Sequence, residues 1–111
     1  MIEITVMEFL SNSLGVPVHM EYPEKPTDRF LVLRRTDNKP ENHIYTATFV
    51  AESYAETMLE AAKLNGLAIN ALDRLTELDG VTASRHVTDY EFKDTKNKRY
   101  RYQAVYNLTY Y

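Results

Sequence analysis

The sequence contains no cysteine and no tryptophan, only three glycines and four prolines, and no apolar run near the roughly 18 residues a membrane-spanning helix needs. Without cysteine there is no disulfide, thiolate zinc site, iron–sulfur cluster or thiol nucleophile. Gly15, Gly66 and Gly80 are too scattered to form a glycine-rich phosphate loop. A basic excess is also missing: 13 Lys and Arg stand against 16 Asp and Glu, a net charge of −3, which does not favour general affinity for nucleic acid or anionic membranes. The first fourteen residues have no basic n-region and carry Glu3 and Glu8 among their apolar residues, so they do not read as a secretory signal, and a cytoplasmic protein is expected. What is there, 44% hydrophobic and 26% charged residues in a chain of 111, suits one globular domain. A chain of that size buries roughly two-thirds of its unfolded surface.

Val6, Met7, Leu10 and Leu14 recur at helical spacing, Thr5 and Glu8 have the form of a capping box, and Gly15 and Pro17 supply the stop. Ile2, Ile4 and Val6 alternate as in a strand, but the helical pattern is the longer signal. A brief strand over 16–20 and a proline-punctuated loop over 22–28 follow. Residues 30–36 read as a strand with Phe30 and Val32 on one face and Leu31 and Leu33 on the other. The loop 37–42, containing Pro40, then leads to a second strand over 43–51, with Tyr45, Ala47, Phe49 and Ala51 on one face and Ile44, Thr46, Thr48 and Val50 on the other.

Met58, Ala61, Ala62, Ala68, Ile69, Leu72 and Leu75 share one arc at 100° per residue and predict a helix over 54–78. Ser53 and Glu56 form its capping box, Asp79-Gly80 its stop, and Asn65-Gly66 a place where it could kink. Two long strands, 81–93 and 98–110, close the chain as a hairpin around the tip 94–97. In the second, Tyr100, Tyr102, Ala104, Tyr106, Leu108 and Tyr110 share one parity, and Arg99, Arg101, Gln103, Asn107 and Thr109 the other. The parity of the first switches between Val87 and Tyr90, which predicts a β-bulge near Thr88. The expected fold is one α+β domain over 1–111, an antiparallel sheet of about four main strands with one long and one short helix packed on one face.

Catalytic patterns are weak. His19, His43 and His86 lie in three different elements, with no spacing that sets two imidazoles on one metal. Ser84, His86 and Asp89 are strand neighbours without a nucleophile elbow. Glu52, Glu56 and Glu60, spaced by four, read as an acidic stripe on an exposed helix face rather than carboxylates converging across a cleft. The run Lys98-Arg99-Tyr100-Arg101-Tyr102 mixes bases and aromatics as single-strand binders do, but period 2 sends the two types to opposite faces. No catalytic residue, metal, cofactor or sequence-specific nucleic acid is expected, and no enzyme.

Two features point to protein contacts. Residues 52–79 carry six acids against Lys63 and Arg74, a local charge of −4, whereas 93–101 carry five bases against Asp94, a local charge of +4. Opposed charges on separate elements suit contacts between identical subunits. Helices can cover only one sheet face, and Leu31, Leu33, Ile44, Val50 and Val105 are expected to leave an apolar patch on the other.

Along its whole length the chain resembles the tail terminator, or tail completion, proteins of long-tailed bacteriophages and prophages, also described as minor capsid or neck proteins. The pattern runs through Phe9-Leu10, Leu14-Gly15-Val16-Pro17-Val18, Phe30-Leu31-Val32-Leu33, Ser53-Tyr54-Ala55-Glu56 with Ala61-Ala62-Lys63, Phe92-Lys93-Asp94-Thr95 and Tyr100-Arg101-Tyr102-Gln103-Ala104-Val105-Tyr106. The resemblance implies a non-enzymatic subunit of a ring, usually hexameric, which sits on the last tail-tube ring, stops its polymerisation and presents a surface to the head connector. Its partners would be further copies of itself, the tail-tube protein and the head–tail connector protein, and its place the virion tail or neck, after assembly in the host bacterial cytoplasm. From face and charge, the expected contact residues are Arg99, Arg101 and Gln103 on the last strand, Glu56 and Glu60 on the helix, and Asp37, Asn38, Lys39 and Asn42 in the loop. A stand-alone dimeric α+β module for a small ligand or host protein is the alternative, and an enclosed apolar pocket would mark it.

Overall fold

The structure, a computed structural model, describes residues 2–41, 44–94 and 99–111, and for 37–41, 93 and 94 the backbone alone. The order is α1 (Ile2–Leu14), β1 (Val18–His19), β2 (Phe30–Glu41), β3 (Ile44–Ala55), α2 (Met58–Asp73), a 3-10 turn (Leu75–Glu77), β4 (Val81–Asp94) and β5 (Arg99–Tyr110). The strands form one five-stranded sheet in the order β1-β2-β3-β5-β4, antiparallel except for the parallel contact of the two-residue β1 with Leu31 and Val32. This is the expected α+β fold with one more strand.

The first segment is a helix, not a strand, because Val6 and Leu10 are both buried in the core at four-residue spacing. It begins at Ile2, ahead of the Thr5 and Glu8 pair, so that pair is not its cap. Its end is as expected: Gly15 takes a φ of +67° and donates to the Ser11 carbonyl at 2.9 Å.

β2 and β3 are longer than expected. The segment 37–41 is strand rather than loop, pairing with Ile44–Thr48 beyond a register shift between Arg35 and Asp37. Pro40 is tolerated there because β2 lies at the sheet edge once β1 has ended, and an edge strand need not donate outward. Asn42 and His43 lie outside the described residues. At its other end β3 runs to Ala55, since β2 and β5 both offer it partners as far as Tyr54 and Ala55.

That continuation displaces the helix start. Ser53 is a buried strand residue, and the cap is Thr57, whose Oγ1 accepts from the Glu60 amide at 3.2 Å. Two Ser/Thr-x-x-Glu patterns stand four residues apart, 53–56 and 57–60, and strand pairing selects the second. α2 also ends early, at Asp73, where the Arg74 amide turns back to the Ala71 and Leu72 carbonyls. Gly80, at φ +88°, makes the turn into β4, and its carbonyl accepts from the Tyr111 amide at 2.9 Å.

Both helices cover one sheet face. Val6 and Leu10 of α1 and Leu64, Ala68, Ala71 and Leu72 of α2 pack on Leu31, Leu33, Ala47, Phe49, Ala51, Ala104, Tyr106 and Leu108. Leu31 and Leu33 are therefore core residues under the helices and not part of an uncovered patch. Phe30 and Val32 take the other face, where they cluster with Tyr54 under Tyr22. The bulge predicted near Thr88 is present as a register shift between His86 and Thr88.

Candidate functional site

The face away from the helices, the open face, is where the side chains with chemistry collect. β5 has no register shift against β3, so period 2 puts Arg99, Arg101, Gln103, Val105 and Asn107 together on it, with Tyr100, Tyr102 and Tyr106 on the helix side. Tyr106 is fully buried there, donating to Asp73 Oδ1 at 2.7 Å and to the Ile69 carbonyl at 3.2 Å. Burial first, and the Asp73 carboxylate second, push its phenol well above the ordinary tyrosine value near 10, so it remains a protonated donor.

At the centre of the open face Glu52, only 4% exposed, takes Arg34 Nε on one carboxylate oxygen and Arg101 on the other, both at 2.8 Å. The hydrogen bond and charge of Glu52 raise the Arg34 guanidinium above its already high value. Arg101 also donates to the Tyr54 hydroxyl at 2.9 Å and lies 4.0 Å from the centroid of the Phe92 ring. Glu52 thus belongs to β3 and to an ion triad, not to an acidic helix stripe; Glu56 and Glu60 remain exposed at the start of α2. Arg101 is correspondingly not a free surface charge, being the largely buried arm of that triad.

Of the remaining expected contact residues, Arg99 is half-buried on the open face with one nitrogen 3.3 Å from the Asp28 carbonyl. Gln103 donates to the Tyr90 hydroxyl at 3.0 Å. Asp37, Asn38 and Lys39 stand on the free part of β2, more than a strand's width from these groups, with β3 between. The structure therefore gathers Arg99, Arg101 and Gln103 on one surface and leaves Glu56 and Glu60 on another.

Tyr90 and Phe92 complete the open face and were not singled out from sequence. Their strand carries the bulge, and only beyond it do they come into line with Gln103 and Arg101. The parity switch after Val87 was the signal. Both are nearly half exposed, beside a half-buried Val50–Val105 pair.

A depression of about 180 Å³ lies on the open face among Thr46, Ala83, Arg85, Asn107 and Thr109, and larger open ones lie elsewhere. One of about 350 Å³ lies among Ile2, Thr5, Tyr45, Asp79 and Tyr110, and another of about 570 Å³ between Met7 and the 18–24 segment. Among the described residues no three His, Asp or Glu side chains converge as a metal site, and no helix is long and apolar enough to cross a membrane.

A solved virion chain shares this fold. It comes from a structure titled "Virion of native gene transfer agent (GTA) particle", and the superposition has a TM-score of 0.62 at 13% sequence identity, covering 91% of this chain and 83% of that one. At that identity the likeness is one of fold. No protein-family model matches the sequence, and no curated protein matches it either.

Proposed function

We propose that this protein is a structural component of a phage or phage-like virion, and within it the terminator that caps the tail tube. The observation that carries the reading is the likeness in fold, over 91% of this chain, to a chain of a virion particle. The whole-length resemblance to tail terminators, noted from Phe9 to Tyr106, agrees with it independently of the coordinates. The geometry suits a structural part: Glu52, Arg34 and Arg101 of the open face are tied into one ion triad.

The mechanism is occlusion. A ring of subunits seated on the last tube layer occupies the surface that the next tube subunit would use, so elongation stops after one stoichiometric binding event. The exposed side of that ring then serves as the docking surface for the head connector. No turnover is required, and none of the residues above is assigned a catalytic role.

Deleting the gene from the phage or prophage that carries it tests the proposal. The expected result is tails of abnormal length that are not joined to heads, with joining restored by added purified protein. Tails of normal length attached to full heads would contradict it.

A further inference from the structure

Among the exposed apolar side chains of the described residues, two sets stand on opposite sides of the molecule. On the outer side of α2, Leu59 and Leu67 are 65% and 48% exposed. Eight residues apart, they fall on one stripe about 12 Å long, with exposed Lys63 midway between them. Exposed Glu56 and Glu60 stand at its N-terminal end. On the open sheet face Tyr90 and Phe92 are 45% and 46% exposed, next to Arg99 and level with the Val50–Val105 pair further along. Arg34 and Arg85 project from the same face, and among the strand residues whose side chains are described its one carboxylate, Glu52, is buried between two arginines.

We propose that these surfaces are each other's partners: the outer face of α2 in one copy packs on the open sheet face of the next, Leu59 against Phe92, with Glu56 and Glu60 beside Arg99. The setting, a ring of identical subunits, rests on the function proposed above; the pairing of faces comes from charge and apolar exposure. The sheet face does not suit its own copy: sheet against sheet opposes Arg34, Arg85 and Arg99 to the same guanidiniums, which is repulsive. Helix on sheet puts opposite charges at the rim and aromatic and aliphatic groups at the centre, where interfaces concentrate their binding energy. Because the two faces differ, the contact is heterologous: each subunit keeps one of each free, and association continues until rotation closes the ring.

The lack of native cysteine makes the contact directly testable. The double variant Leu59→Cys/Phe92→Cys, oxidised at millimolar protein concentration and run on a non-reducing gel, should form a reducible ladder of dimers, trimers and larger species. Each single variant should stay at the monomer band, because the two positions meet only across copies and neither meets itself. Dimers from a single variant would overturn the pairing, as would a double variant that stays monomeric. A second arm guards against a folding artefact: Arg99→Glu, with its circular dichroism unchanged, should weaken association at least tenfold by sedimentation, and adding Glu60→Arg should restore it. An association constant unchanged by Arg99→Glu also overturns the pairing. Either failure leaves the deletion phenotype untouched, so the interface and the tail-capping function fail separately.

Discussion

At the scale of single residues, Glu52 carries the largest consequence. Its carboxylate is removed from water between two guanidiniums, and such a group is far more costly to unpair than it was favourable to bury. Glu52→Gln leaves the largely buried Arg101 cation without its counter-charge and should cost about 3 kcal/mol in urea denaturation. A loss below about 1 kcal/mol would show that water compensates the arginines. The same geometry separates Arg99 from Arg101, which composition groups together as one basic run. Arg101→Glu sets a second carboxylate against Glu52 and tests folding, whereas Arg99→Glu changes a surface.

At the scale of elements, the order of helices and strands was legible because each has its own period: four-residue spacing from Val6 to Leu14, and alternation along 99–110. The boundaries were less so, because a boundary is decided by neighbours rather than by local pattern. Ser53 looks like a cap, yet β2 and β5 extend pairing past it, so Thr57 caps α2 instead. Likewise 37–41 looks like a loop from its Pro40, but ladder pairing with β3 holds it in the sheet. A pair of substitutions measures this competition. Thr57→Ala should lower stability by about 1 kcal/mol through the lost cap. Ser53→Ala should be neutral or stabilising, since its buried Oγ has no hydrogen-bond partner. The reverse order of effects in thermal melts would move the helix start back to Ser53.

At the scale of the whole molecule, what the sequence left ambiguous was which side chains share a surface. The bulge after His86 turns Tyr90 and Phe92 onto the side of Arg101, and the strand pairing draws Glu52 out of the acidic count and into the open face. Net charge by segment could not show this, since it adds Glu52 to α2 and Arg101 to the hairpin when the two neutralise one another. What survives is a sheet with one face sealed by helices and one face bearing arginines and half-exposed aromatics, opposite the exposed Glu56 and Glu60 at the start of α2. Those properties fit the ring-forming cap proposed above. The most direct test of that central claim is the position of the protein in assembled particles, read by electron microscopy with an antibody or a fused label. The account predicts a single ring at the junction between the last tube layer and the head, with the same few copies in every particle. Label distributed along the tube, or purified particles without the protein, would contradict it.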